Sequence, residues 1–327
     1  MVSYAIRRLL IAIPVAIAAS FVTFMLVAFG TDPLAELRAR RPPVPAQTIT
    51  AERHRLWLDQ NVFERYWHWL TGVFGHGYFG PAVQANVHIR SELMSRLAVT
   101  FRLVFLAMLL AGILAVIVGV VSAVKQYSAL DYTATFTGFL FLSLPTFWFA
   151  LLLKQGGIVV NRHVGHTVFY TIGDESIGLK GPWYHHIGDI FGHMILPTLT
   201  LALISYAAWS RYCRASMLEV LNSDYTRLAR AKGLSRRRVM IRHALRTALI
   251  PLTTVMALDL AAILGGAIVT ETVFQWHGMG DFLLTSIRYH DAYAVTGWLL
   301  VTALIVIIFN LIADLLYGVL DPRIRYD

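Results

Sequence analysis

The residues able to do chemistry in this 327-residue chain are few, and several of them lie within or beside apolar runs. Three carboxylates, Asp259, Glu271 and Asp314, fall within or beside apolar runs. A charge surrounded by lipid is costly, so each must face a cavity, meet a partner or reach water. Asp259 lies deep enough to attract a translocated amino group. Its other reading is a pairing with Arg102 or with a polar group of a neighbouring subunit. Glu271 and Asp314 stand near the ends of their runs, where structural anchoring is the simpler role. Histidines gather at His163, His166, His185, His186 and His193. Such clusters can bind metal or respond to pH, but without supporting carboxylates or cysteines the reading is solvated side chains or docking contacts. No metal site is expected. Cys213 stands alone, which excludes a disulfide framework or thiolate cluster within the chain.

Catalytic signatures are missing. None of the lysines, Lys125, Lys154, Lys180 and Lys232, follows Gly and precedes Ser or Thr, so no phosphate-binding Gly-x-x-x-x-Gly-Lys-Ser/Thr loop is present. Neither a His-Glu-x-x-His zinc motif nor a Gly-x-Ser-x-Gly nucleophile elbow occurs. An intramembrane hydrolase therefore has little support, and no cofactor is expected in this chain.

The elements that must carry these residues follow from composition. Apolar residues make up 57% and charged ones 14%, where soluble domains carry roughly a quarter charged. Lipid must be the solvent for most of the surface. A helix needs about 20 apolar residues to cross a bilayer. Six runs suffice: Leu9–Phe29, Leu103–Val124, Tyr132–Leu153, about Ile195–Trp209 with a possible start near Ile187, Ala248–Val273 and Ala294–Leu320. The expected fold is an all-α integral membrane protein with six transmembrane helices. The first run continues past the cleavage-like Ala16-Ile17-Ala18, longer than a signal-peptide core, and reads as a retained anchor. Pro145 should bend the third span, with neighbouring helices satisfying the freed carbonyl. Gly265-Gly266 should let helices approach closely. Packing is the plain reading for these; lining a gate is the sharper one.

Basic residues set orientation. With the N-terminus inside, Arg7, Arg8, Lys125, the run from Arg211 to Arg246, Arg323 and Arg325 are cytoplasmic. The short outer loops hold fewer, which favours N-in, C-in and puts every histidine but His243 outside. Residues 1–29 are then the N-terminus and first span, and 30–97 an extracytoplasmic segment. Residues 98–327 hold the remaining spans, with a cytoplasmic loop at 211–247. In the outer segment, Arg41-Pro-Pro-Val-Pro45 reads as a stiff linker. Leu56–Leu70 reads as a helix near the membrane surface, with Trp57, Tyr66, Trp67 and Trp69 at the lipid–water boundary.

The cytoplasmic loop is the most informative stretch. Ser223-Asp224 offers N-capping oxygens to Tyr225-Thr-Arg-Leu-Ala-Arg-Ala-Lys232. Gly233 offers a helix stop, and Leu234-Ser235 restarts the chain into Arg236–Arg246. A short exposed helix between two longer ones results, with Tyr225, Leu228 and Ala229 on one side, able to enter a groove on another protein. A basic stretch beside a membrane can equally be a topology signal drawn to anionic lipid.

Asp224-Tyr-Thr-Arg-Leu-Ala-Arg-Ala-Lys-Gly-Leu-Ser235, followed by Arg242-His-Ala-Leu-Arg-Thr-Ala-Leu-Ile-Pro251, resembles the coupling loop of oligopeptide/dipeptide-type ABC importer permeases. Leu58-Asp59, Arg65-Tyr66, Trp69-Leu70, Arg96-Leu97, Thr100, Leu144–Trp148, Gly265-Gly266, Glu271–Phe274, Trp276, Gly278, Gly280, Asp314–Tyr317 and Asp321–Arg325 extend the likeness in order along the chain. It departs at Ala98, Arg102, His277, Asp259 and the long segment 154–186.

The resemblance implies one of two homologous permease subunits enclosing a path in a bacterial plasma membrane. Two separate ATP-binding subunits would bind ATP and Mg, and an extracytoplasmic peptide-binding protein would deliver peptide. It implies no nucleic-acid partner. Tyr225, Leu228, Ala229, Arg230, Ala231, Lys232, Gly233 and Leu234 would couple to an ATPase subunit. Pro145, Asp259, Gly265, Gly266 and Glu271 are the candidates for the path or gate. A secondary transporter or channel is the rival class, with Asp259 as its ion-coupling residue.

Overall fold

Backbone in lipid must satisfy its hydrogen bonds within itself, and this chain does so by being helical along nearly its whole length. The computed structural model describes residues 2–264 and 267–320, and helix is the regular structure found among them. Helix α1 (Val2–Gly30) is followed by three shorter helices, α2 (Ala35–Ala39), α3 (Ala46–Arg55) and α4 (Val62–His76). Then come α5 (Ile89–Val124), α6 (Ala129–Ser143), α7 (Thr146–Val164) and α8 (Trp183–Leu221). The short α9 (Asp224–Ala231) and α10 (Arg236–Arg238) precede a π-helical stretch, Val239–Leu245, that runs into α11 (Arg246–Leu264). Helices α12 (Ile268–Phe274), α13 (Met279–Arg288) and α14 (Ala292–Leu320) complete the chain.

Four of these, α1, α5, α8 and α14, are long and apolar enough to cross a membrane, and α6 with α7 makes a fifth if the pair is one span. The differences from six continuous spans fall at the third and the fifth. Pro145 does more than bend the third span. The helix stops at Ser143, Leu144 is extended at φ −81° and ψ 128°, and α7 starts afresh after Pro145. The residue before a proline is pushed out of the helical region, and here α6 and α7 meet at 104°. The expected fifth span is divided between α11 and α12. Gly265 and Gly266 lie outside the described residues, as does the stretch Asp321–Arg325. Helix α8 also starts earlier than expected, at Trp183, and its 39 residues span about 58 Å. That exceeds the bilayer core of about 30 Å, so its ends reach into water.

Two apolar clusters hold the helices together. In the first, Leu103, Ala107 and Ala111 of α5 meet Met194, Ala202, Trp209 and Met217 of α8, with Leu252 of α11. Small residues let α5 and α8 approach: a Cβ added at Gly119 would stand 2.8 Å from the Ser210 carbonyl oxygen. The second cluster joins Phe24 of α1, Tyr66 and Trp69 of α4, Leu93 of α5 and Tyr293 of α14. It corrects the reading of α4 as a surface helix with its aromatics in lipid. Trp67 does face outward at 62% exposure, but Trp69 is fully buried. Trp69 donates its indole N–H to the Phe79 carbonyl at 3.1 Å, and Tyr66 its hydroxyl to Ile17 at 3.1 Å. Burial pushes the Tyr66 hydroxyl above its usual pKa.

The outer segment is thus bolted to the bundle. Asp291, buried at the start of α14, accepts from the Val83 N–H at 2.7 Å and the Ala294 N–H at 2.9 Å. One carboxylate caps α14 and straps the 80s loop to it. At the opposite ends of the same helix pair, Arg8 of α1 pairs with Asp314 of α14, which gives Asp314 an anchoring role. Asp291→Ala removes a helix cap worth about 1 kcal/mol and orphans the Val83 N–H at a further 1–3 kcal/mol or so. Thermal unfolding in detergent should occur at lower temperature and proteolysis near residues 83–88 should accelerate; unchanged behaviour in both would refute the strap.

Candidate coupling helix and path residues

Eight residues are too few to hold a helix together in water, so α9 must be held by its neighbours. Thr226 is fully buried and donates its hydroxyl to the Val220 carbonyl at 2.8 Å. The Ser223 hydroxyl donates to the same carbonyl at 2.6 Å and to Thr226 Oγ1 at 3.1 Å. Ser223 occupies the N-cap position, yet its oxygen serves this knot and caps no backbone N–H. The C-terminus closes as a Schellman motif: the Leu234 N–H reaches Ala229 O and the Gly233 N–H reaches Arg230 O. Gly233 takes φ +78°, and an added Cβ would meet nothing within 4 Å. Glycine is required there by backbone conformation rather than by crowding.

The helix presents two faces. Thr226 and Ala229, three residues apart, face the protein, while Tyr225 and Leu228 face out at 43% and 57% exposure. Ala229 therefore does not share a free surface with Tyr225 and Leu228, as expected from the sequence; it packs beneath them. Arg230, Ala231, Lys232 and Gly233 are exposed, and Leu234 is half-buried. The stretch 236–246 is helical as expected, but most of it is π-helix, with Val239 and Ala244 buried.

Sequence reasoning missed an ion pair that ties α6 to α8. Asp131, buried at the start of α6, takes a bidentate bond from Arg214 of α8, both N–O distances being 2.8 Å. It also accepts from the Ser122 hydroxyl and from the Tyr127 N–H at 3.0 Å. Ser128 followed by Asp131 reads in sequence as an ordinary helix start, which hides this link between α5, α6 and α8.

Asp259 does not pair with Arg102. It accepts from the buried Trp209 indole N–H at 2.6 Å, while Arg102 donates to Asp174 at 2.7 Å. Asp259 is half-buried and has no ion pair among the described residues. Trp209 connects it to α8, the same helix whose end carries α9. Pro145 lies far along the chain at the α6–α7 break, and nothing joins it to Asp259.

Glu271 corrects the expectation of a charge near water: it is fully buried. Its carboxylate accepts from the Thr100 hydroxyl at 2.6 Å, the Gly280 N–H at 2.8 Å and the Asp281 N–H at 3.2 Å. Those N–H groups are the free donors at the start of α13, so Glu271 caps a helix other than its own. A Cβ on Gly278 would come within 2.4 Å of Thr100 Oγ1, so glycine is needed beside the knot.

Three of the departures, Arg102, His277 and the long segment 154–186, meet in one place. Asp174 of the long α7–α8 segment pairs with Arg102 and lies 3.3 Å from His277. The Gly173 N–H donates to Phe274 O at 2.9 Å, and Lys154 to Val273 O at 2.6 Å. Ser176 donates to Asp189 at 2.6 Å, and Tyr170 stacks on the buried His193 at 4.1 Å. His163, His166, His185 and His186 remain exposed. Among the described residues, no three potential metal ligands converge.

Comparison with known proteins follows this geometry. Residues 115–326 match the family described as binding-protein-dependent transport system inner membrane component, and residues 1–104 match its N-terminal counterpart. Over 325 residues the chain is 38% identical to the oligopeptide transport system permease protein OppB of Mycobacterium tuberculosis, covering 99% of each. It is 37% identical to the dipeptide transport system permease protein DppB of Escherichia coli K12, covering 100% of this chain and 99% of that one. With the oligopeptide transport system permease protein AppB of Bacillus subtilis identity is 34% over the full length of both. A chain of the inward-facing MetNI methionine ABC transporter matches with a TM-score of 0.53 at 16% identity, over 70% of this chain and 96% of that one. That likeness concerns fold alone.

Two substitutions test the knots. Glu271→Ala strands three donors, at about 1–3 kcal/mol each, and should prevent accumulation of folded protein in the membrane, whereas Thr100→Ser should be tolerated. Equal accumulation of Glu271→Ala and unaltered protein would contradict the arrangement. Asp259→Asn keeps an acceptor for Trp209 and removes the charge, so membrane levels and assembly should hold while uptake falls. Loss of assembly, read by co-purification, would mean that the charge is structural.

Proposed function

Since the chain belongs to the binding-protein-dependent transport system inner membrane components, we propose that it is a permease subunit of an ATP-driven importer of oligopeptides or dipeptides, coupled to its motor through α9. It is a non-catalytic, multi-pass component of the inner membrane. The observation that carries the reading is α9 itself, with an outward pair of apolar side chains, Tyr225 and Leu228, beside the left-handed Gly233. Exposed apolar side chains on a basic, water-facing helix have no use in the isolated chain and suit a groove on a partner. The relatives' names supply the peptide cargo.

In this reading six crossings run N-in, C-in, α11 and α12 together forming the fifth. The chain provides half of the path, a homologous permease the other half, and an extracytoplasmic binding protein delivers peptide. Two ATP-binding subunits hold ATP and Mg. When they close, the clefts that grip α9 move. Because Thr226 and Ser223 tie α9 to the last turn of α8, α8 follows. Its Trp209–Asp259 bond and its packing on α5 pass the displacement to the helices around the path. Asp259 offers a negative charge to a peptide's amino terminus. The α6–α7 break at Pro145 supplies a place where a span flexes, and Glu271 holds the outer end of the fifth span fixed.

Leu228→Arg and Gly233→Val should each reduce peptide uptake at least tenfold at unchanged membrane level, since a central interface contact is worth about 2 kcal/mol or more. Labelled-peptide uptake with immunoblotting of membranes measures both; full uptake by both variants would defeat the assignment.

A further inference from the structure

At the outer end of the bundle, a cavity of about 280 Å³ opens between the end of α1, the α1–α2 connection and the start of α14. Its wall carries three guanidinium groups, Arg38, Arg53 and Arg65, with His290 and a single carboxylate, Asp32. Arg38 is occupied by Asp32 at 2.6 Å, and Arg53 by Asp59 at 2.9 Å. Arg65 is different. It is 6% exposed, donates from Nε to the Tyr293 hydroxyl at 3.1 Å, and lies over the rings of Phe24 and Tyr293 at 5.7 and 5.5 Å. No carboxylate pairs with it among the described residues. The nearby Asp291 is committed to the Val83 and Ala294 N–H groups, and Glu52 to Arg55.

Burying a charge without a partner is costly, and an imidazole, His290, shares the cavity wall with Arg65. His290 Nδ1 is buried and has no hydrogen-bond partner. Ring faces can soften the charge of Arg65, but they provide no acceptor for its remaining N–H groups. A planar, multi-donor cation beside a spare imidazole nitrogen matches the tetrahedral oxygens of a phosphate group.

We propose that this cavity is a phosphate-binding site, with Arg65 as its fixed positive pole and, as further contacts, His290 and the N–H groups of Arg38 that Asp32 does not engage. The location favours a phospholipid headgroup as the source. The cavity floor includes Ala28 and Tyr293, at the outer ends of the two apolar helices α1 and α14. Leu26 and Phe29 beside it are 70% and 69% exposed, where acyl chains would lie. A bound headgroup would tie α1 to the outer segment and to α14. The inference does not depend on what the chain transports.

The full-length chain, purified in detergent and stripped of lipid with whatever subunits accompany it, would be titrated with short-chain phosphatidylglycerol, inorganic phosphate and glutamate at constant ionic strength. Thermal unfolding reads binding. Saturable stabilisation by phosphatidylglycerol is expected, with apparent affinity at least tenfold weaker in Arg65→Gln and several-fold weaker in His290→Gln. Arg65→Lys should fall between. Should Arg65→Gln fail to fold, His290→Gln and Arg38→Gln at the rim carry the test. Stabilisation by inorganic phosphate of equal strength would identify free phosphate as the ligand; stabilisation by lipid alone would identify the headgroup. No response to either beyond that to chloride, equal responses in unaltered and His290→Gln protein, or a response to glutamate alone, which points to an acidic protein partner, would each overturn the proposal.

Discussion

The hydrogen bond from the Thr226 hydroxyl to the Val220 carbonyl is the constraint on which the working structure depends. Without it α9 is eight residues of basic chain in water, too short to stay helical. With it, α9 becomes a rigid projection of α8, turned so that Tyr225 and Leu228 point away from the protein. Gly233 then ends the helix abruptly, and the chain re-enters the bundle through the π-helical stretch. Helix α8 packs against α5, α6, α7 and α11.

Charge placement follows one rule throughout. Four carboxylates of the bundle each find donors in the surrounding fold. Asp131 takes Arg214, Glu271 caps α13, Asp291 caps α14, and Asp259 takes the Trp209 indole. Three of the four either pair with a cation or collect several N–H and O–H donors. Asp259 alone has one neutral donor and is half-buried. The polar clamps at the outer side, Asp174 with Arg102 and His277, and Lys154 on Val273, serve the same end, fastening a long loop across the ends of α5 and α12.

Much of this was legible in the sequence. Apolar runs located α1, α5, α8 and α14 because helix in lipid needs only length and composition. Gly233 located the end of α9 because a helix stop is local chemistry, whereas the Ser223 oxygen expected to cap its start turns to Val220 and Thr226 instead. What stayed hidden was pairing. Asp131 with Arg214, and Arg102 with Asp174, lie 83 and 72 residues apart, and side chains joined across the fold leave no periodic trace. The rotation of α9 was equally invisible: with Tyr225, Thr226, Leu228 and Ala229 all plausible as an apolar face, only contact with α8 decides which pair is buried. Tyr66 and Trp69 misled for a related reason. Aromatic residues suit a lipid boundary and a protein core alike, and the presence of α1 and α14 beside α4 selects the core.

The most direct test attaches a photoreactive benzophenone to single cysteines on α9. Cys213 is the chain's sole cysteine and is buried, so Leu228→Cys and Ala229→Cys can be labelled against a silent background. In native membranes illuminated with and without ATP, the label at Leu228→Cys should cross-link to an ATP-binding subunit with a yield that changes on adding nucleotide, and the buried Ala229→Cys should label poorly and cross-link little. Equal cross-linking from both positions, or none from Leu228→Cys while peptide uptake persists, would contradict the account.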